Sequence, residues 1–258
     1  MSTRNNWTRE EHIIAFNVYC QIPFGQIGMR NPKVKELARL VNRTVGAASN
    51  KLANFARLDP VHQERGVKGL SHGAKGEGEV WDEFAETPET LAVESEKLIA
   101  QRLGKPVEEA AEIETDDLPE PGEEREAIVR LRLKQAFFRK RVVSAYEFRC
   151  CVTGLTNQKL LVASHIIPWS ADKSNRLNPK NGLSLNALHD RAFDRRLMWI
   201  DEEYVVHLSP KLCKANAESK ITVDWLMSFD GRPLLIKNKD IFCPDPELLA
   251  KHAATCER

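Results

Sequence analysis

Apolar residues in the first part of the chain recur at helical spacing. Ile13, Ile14, Phe16, Val18 and Tyr19 follow Thr8 and Glu11, a helix-start pair, and predict a helix from His12 to Cys20. Gly25 to Asn31 breaks the pattern. From Pro32, the positions Val34, Leu37, Ala38, Leu40 and Val41 predict a second helix, and Ala47, Ala48, Leu52, Ala53 and Phe55 a third, with polar Asn42 to Thr44 between them. This is a helix-turn-helix layout. On DNA, the outward residues Ser49, Asn50 and Lys51 would meet base edges or phosphates while Arg43 and Arg57 flank the backbone. A small helical domain without a DNA role explains the periodicity equally well.

Gly66 to Gly78 predict a loop or wing, Val80 to Ala85 a short packed segment, and Thr87 to Ala110 a partly helical stretch. Glu108 to Glu126 combines dense acid with two prolines and a glycine, the composition of a mobile linker. From Ala127 a helix resumes, with Val129, Leu133, Phe137, Val142 or Val143, and Tyr146 inward and a basic face of Arg132, Lys134, Arg139, Lys140 and Arg141. The pattern then changes. Leu160 to Ala163 reads as a strand ending at His165 and closed by Pro168, and a polar loop runs from Ser170 to Asn-Pro-Lys-Asn-Gly. Leu183 to Leu185 reads as a second strand, and Asn186 caps a helix carrying Leu188, Phe193 and Leu197. Beyond it we expect a strand at Tyr204 to Leu208, a turn-bounded pair at Asp224 to Phe229 and Pro233 to Ile236, and a closing helix at Asp245 to Ala254. The class is α+β: a mainly helical domain over 1–106, an acidic linker over 107–126, and a mixed domain over 127–258.

The net charge of +1 conceals a division along the chain. Residues 1–75 carry 12 Lys and Arg against 5 Asp and Glu, residues 76–126 carry 4 against 18, and residues 127–258 carry 22 against 14. Two basic blocks flank an acidic one. A polyanion suits the basic blocks, because each cation set against a phosphate releases counterions; solvated surface is the alternative. The acidic block reads as a spacer, or as an occluder of a basic groove. No stretch approaches the roughly 20 apolar residues of a membrane span, and the N-terminus lacks the apolar core of a secretory signal. We therefore expect a cytoplasmic, bacterial protein with no membrane association. Six scattered cysteines without framework spacing fit reduced thiols.

The chemistry concentrates between Leu161 and Asp201, where two of the seven histidines lie. His165, at the end of a rigid strand, suits a general base near neutral pH. His189 stands near the first turn of the following helix, where an imidazole nitrogen can hold a metal. Arg191, Arg195 and Arg196 follow on that helix as candidate phosphate clamps, with a solvated or ion-paired role the alternative for each. Asp194 lies five residues after His189, roughly 140° around the helix, so we assign it a structural role.

The segments RCCVTG, ASHIIPW and NRLNPKNGLSLNALHDRAFDRRLMWID resemble the nuclease module of the HNH endonucleases, in the subfamily fused to restriction-type domains. The resemblance covers about residues 127–255, and LVNRTVGAASNKLANFARLDP resembles the segment that precedes such modules. It implies a ββα-metal fold that cuts phosphodiester bonds with one divalent ion, Mg2+, Mn2+ or Ni2+. His165 would be the base, His189 the metal ligand, and Asn181 the residue that pins the loop orienting His165 and reaches the metal shell. Double-stranded DNA, with or without modified cytosine, is the implied substrate. Arg43, Ser49, Asn50, Lys51, Arg139, Lys140, Arg191 and Arg195 are the expected DNA contacts. A restriction or phage-defence enzyme follows, with a DNA-binding regulator of degenerate nuclease fold and a sequence-blind toxin-like nuclease as rivals. A double-strand cut needs two successive nicks or two active sites, as in a homodimer.

Two departures from the family pattern stand out. Ser164 occupies the position before the base where many members carry an Asp or His metal ligand. Cys150 and Cys151 are adjacent and Thr153 stands where a second thiol would be, so no structural zinc is expected, and Val152 and Leu155 should pack in its place.

Overall fold

The computed structural model describes residues 6–64, 66, 75–214, 220–237 and 242–256. Two compact units result, Met1–Phe137 and Phe138–Arg258. The division falls inside a helix, downstream of the acidic stretch. Among the described residues, no helix is long and apolar enough to cross a membrane.

The N-terminal unit is helical: α1 (Arg9–Tyr19), α2 (Pro32–Leu40), α3 (Val45–Leu58), α4 (Pro60–Glu64), α5 (Lys75–Phe84), α6 (Pro88–Leu103), α7 (Val107–Ala110) and the first part of α8 (Glu123–Ala145). Thr8 and Glu11 form a reciprocal capping box at the start of α1. Ile13, Ile14, Phe16, Leu37, Leu52, Phe55 and Phe84 make the core, with the rings of Phe16 and Phe55 stacked 5.0 Å apart. Part of the expected wing is instead helix α5, whose Glu77, Val80 and Phe84 face inward. The remainder of that stretch, 65 and 67–74, lies outside the described residues.

Two of the residues expected at DNA, Lys51 on α3 and Arg43 just before it, are engaged inside this unit. Lys51 is only 5% exposed and ion-pairs with the fully buried Glu77 of α5. Asn54 donates to the same carboxylate at 2.9 Å, and His12 Nε2 lies 3.1 Å from Lys51 Nζ. A buried carboxylate needs a cation, and Lys51 supplies it. Arg43 is similarly engaged. It donates to Glu11 Oε2 and Asn6 O, both at 2.7 Å, beneath the ring of Trp7. Ser49 is half-buried, and of the four residues expected to touch DNA from this unit Asn50 alone is exposed.

The acidic stretch is docked rather than free. Ala111, Val129 and Leu133 form an apolar cluster against which Val93, Val107, Ile113 and Leu118 pack. Arg125 meets Glu108 at 3.3 Å and Arg132 meets Asp117 at 2.7 Å, while Lys134 pairs with Glu89. Apolar anchors spaced among the acids, and the basic face of α8 opposite them, hold down a segment whose average composition resembles a linker.

The C-terminal unit holds the rest of α8, then β1 (Leu161–His165), β2 (Gly182–Asn186), α9 (Ala187–Asp194), β3 (Met198–Ile200), β4 (Val206–Leu208), α10 (Lys220–Met227) and α11 (Pro246–Ala253). β1 and β2 pair antiparallel, with Ser164 opposite Leu183 and His165 opposite Gly182. A second hairpin joins β3 to β4. The segment expected to be extended at Asp224 to Phe229 is largely helical, in α10, because Trp225 and Phe229, one turn apart, both pack on His189. Near the start of the unit, Cys150 Sγ accepts hydrogen bonds from the backbone N–H groups of Thr153 (3.4 Å) and Asn186 (3.3 Å). Those bonds tie the turn to the hairpin, with buried Val152 beside them. Cys20, Cys150, Cys151, Cys243 and Cys256 are free thiols.

Gly182 sets the spacing between hairpin and helix. A Cβ there would collide with Val142 and come within 2.9 Å of Phe138 Cζ. Gly182→Ala therefore overpacks the interface and should cost about 1–3 kcal/mol, a fall of roughly 2–4 °C in Tm per kcal/mol. A thermal melt matching wild type would contradict this packing.

Candidate active site

His165 ends β1, where the hairpin holds its backbone and three groups hold its ring. Phe138 stacks on the imidazole face at a centroid distance of 3.8 Å and 11° between planes. Trp169 meets it edge-on at 5.6 Å. Its Nε2 lies 2.9 Å from the carbonyl oxygen of Arg176. A carbonyl only accepts, so Nε2 carries the proton and Nδ1 keeps the lone pair. Burial lowers the pKa of His165 from 6.5, with partial compensation from the Arg176 carbonyl and the Asp194 charge. The ring is thus neutral at pH 7. A reaction that uses it as base gains rate as pH rises through a value below 6.5 and is flat above it; a cleavage profile still climbing steeply from pH 7 to 8 would exclude this assignment.

Asn181 is fully buried, and its amide is committed to the loop between the strands. Its Oδ1 accepts from Ile167 N at 2.8 Å, while Nδ2 donates to Ile167 O at 3.1 Å and Asn175 O at 3.0 Å. Asp172 ties the loop's far side to Ser174 and Asn175. Asn181 therefore fastens the loop that presents the Arg176 carbonyl to His165. Both amide atoms are engaged by backbone groups, so the role the structure gives Asn181 is that of a fastener.

His189 lies elsewhere too. It is fully buried; Nδ1 contacts the Asn186 side chain at 3.0–3.1 Å, and the edges of Trp225 and Phe229 enclose the ring at 5.2 and 5.1 Å. Burial alone pushes its pKa down to about 4. Its Nε2 is buried without a partner. His189, expected as the metal ligand beside the base His165, does not line the cavity that holds His165, because His189, Ala192 and Phe193 fall at i, i+3 and i+4 and share the buried stripe of α9.

The opposite face of α9 meets β1 instead. A cavity of about 540 Å³ is lined by Ser164, His165, Trp169, Asp190, Arg191, Asp194, Arg195 and Arg196, with Val162, Ala163 and Pro168. Asp190 is the residue that motif reading passes over, standing one position from the expected ligand. Burial raises its pKa, and the nearby Asp194 raises it further. The Ser164 hydroxyl, buried without a hydrogen bond of good geometry, lies close enough to the Asp190 carboxyl to pull that pKa partly back. Asp190 and Asp194 are one turn apart, so both line the pocket, and the structural role expected for Asp194 gives way to a place on its wall. The signal was present in the sequence as Asp-x-x-x-Asp beside Arg-x-x-x-Arg.

These groups fit a hard divalent cation. Two carboxylates, one desolvated, and an orphaned hydroxyl oxygen are the donors that Mg2+ or Mn2+ prefers. No group of three or more His, Cys, Asp or Glu suited to a metal occurs among the described residues. A cation here would complete its shell with water and substrate oxygens.

The arginines divide. Arg191 and Arg195 are exposed on the pocket wall, and neither forms an ion pair among the described residues. Arg139 donates to the carbonyls of Leu161 and Gln158, where it braces β1 rather than a phosphate. Lys140 is half-buried on α8 and does not line the cavity.

No curated protein matches the chain. The stretch carrying the whole of this cavity, residues 150–201, matches the family model described as HNH endonuclease.

Proposed function

We propose that the chain is a metal-dependent DNA endonuclease in which His165 is the general base and Asp190, with Asp194, holds the ion. The observation that carries this reading is the convergence, in one cavity, of an imidazole with a free Nδ1, two carboxylates and three arginines. Water gives a proton to His165 Nδ1 and attacks phosphorus; the new P–O bond forms as the ester P–O bond opposite breaks. Arg191 and Arg195 oppose the charge that gathers on the phosphate oxygens. A bound divalent ion supplies Lewis-acid stabilisation of that charge and of the leaving oxygen. The Phe138 stack and the Arg176 carbonyl keep the imidazole in one orientation throughout and, before the transfer, in the tautomer with Nδ1 free. The donor set favours Mg2+ or Mn2+ over Ni2+.

Double-stranded DNA is the substrate we assign, in a restriction or phage-defence setting, with the N-terminal unit as a separate helical module. Within it Arg43 and Lys51 are paired with Glu11 and Glu77, so we assign its DNA contacts to other residues. Supercoiled plasmid, methylated and unmethylated, incubated with the protein and Mg2+ or Mn2+ tests the reading. Nicking or linearisation that EDTA abolishes is expected, and a preference between the two plasmids reports dependence on modified cytosine. Tight DNA binding without metal-stimulated cleavage would replace the enzyme by a DNA-binding regulator.

A further inference from the structure

We propose that Arg196 is a substrate-phosphate ligand of this site, held on the cavity wall by a left-handed backbone conformation that glycine would adopt at lower cost. The inference rests on reading the cavity as a phosphodiester site. Helix α9 closes with two reverse bonds, Arg196 N to Phe193 O at 3.0 Å and Leu197 N to Ala192 O at 2.9 Å, and Arg196 takes φ 62°. That ending places its left-handed residue where glycine is the usual choice. The same motif ends α6 at Gly104, where Gly104 N donates to Gln101 O and Lys105 N to Ala100 O, and it ends α2 and α7 at the non-glycine residues Asn42 and Glu112, so what sets Arg196 apart is its place on the cavity wall.

Six non-glycine residues take positive φ among the described residues, and Arg196 alone of them lines the cavity. Asn42 is a residue type that tolerates the conformation, and Glu147 is held by ion pairs to Lys237 and Arg149. Arg196 has no such partner among the described residues. Its charge lies near buried His252, whose pKa is pushed down to about 3 first by burial and then by Arg196, so the neighbouring imidazole brings no neutralising anion. An arginine with no ion pair among the described residues, fixed by its backbone in the wall of a cavity that also holds His165, Arg191 and Arg195, points to a bound anion. The phosphate charge of the substrate provides one, and the planar fork suits two of its oxygens.

Arg196→Gly and Arg196→Lys in the full chain test the assignment. The readouts are thermal midpoint, kcat/KM for plasmid cleavage, and binding of a short fluorescein-labelled DNA duplex across a salt series. Arg196→Gly should melt at or above the wild-type temperature while kcat/KM falls roughly tenfold or more. The slope of log affinity against log salt should become shallower by about 0.9, one phosphate contact. Arg196→Lys should restore the slope but only part of the rate, because an ammonium lacks the fork. An Arg196→Gly protein with wild-type slope and wild-type cleavage overturns the proposal, whatever its melting temperature. A wild type that cuts no DNA, yet loses that slope in Arg196→Gly, overturns the endonuclease reading and retains this one; a wild type that neither cuts nor binds overturns both.

Discussion

Replacing His165 with alanine is expected to lower the single-turnover rate of plasmid cleavage by about 10²–10⁴-fold, the usual contribution of a positioned general base. Duplex affinity should change little, since the imidazole addresses the attacking water and the arginines address the phosphate. The loss should be confined to chemistry for a structural reason. His165 Nε2 is anchored on the Arg176 carbonyl and its face on Phe138, and no other imidazole lines the cavity. The stack also contributes to packing, so the variant should melt somewhat lower. His165→Gln keeps more of that packing and should be as inactive, which separates a lost base from a loosened fold. Cleavage by either variant at the wild-type rate would remove His165 from the mechanism.

Asp190→Asn is expected to raise the Mn2+ concentration giving half-maximal cleavage by more than about tenfold, since even indirect supports of a metal cost 10–100-fold when removed. His189→Leu should leave that concentration unchanged and lower the melting temperature instead, since His189 is a core residue beside Trp225 and Phe229. The opposite outcome would return the metal to His189. Stability supplies an independent sign. The pKa of Asp190 is raised by burial, so its carboxyl favours folding when protonated, and this contribution is lost as pH rises through the folded-state pKa. At neutral pH without metal the ionised carboxylate therefore weighs against the fold. Asp190→Asn should melt at or above wild type under those conditions, and the difference should shrink or reverse when Mn2+ is added. A variant less stable than wild type in EDTA would show that Asp190 serves the fold rather than an ion.

Much of the site was legible before any coordinates. Strand, loop, strand and helix follow from the β-favouring run before His165, the Asn-Gly turn, and Asn186 as a cap whose side chain accepts from Leu188 N and His189 N. These are local signals, each set by backbone sterics or by unsatisfied N–H groups within a few residues. Asn181 as the fastener of the loop came from the family resemblance, and its engagement by backbone was not legible locally. Lys51 and His189 are buried, and their spacing held a warning of it. Lys51 sits among Ala48, Leu52 and Phe55, and His189 among Ala192 and Phe193, so each lies on its helix's apolar stripe. A polar residue in such a stripe can serve as a buried partner as readily as a ligand, and which it does depends on what the neighbouring element brings.

The sequence by itself determined most of the element types and helix caps, because periodicity and capping act over a single turn or strand; it also fixed the division of charge and singled out His165 as a group suited to proton transfer. Only the tertiary structure decided which face of α9 meets β1. Neighbouring helical positions point about 100° apart, so His189 and Asp190 exchange roles on a modest rotation of the helix about its axis. Packing of Phe193 and His189 into the core fixed that rotation. It also decided that Lys51 answers Glu77, a carboxylate 26 residues away that no local pattern connects to it. The acidic stretch, too, lies against α8 because apolar anchors too sparse to change its composition find a surface there.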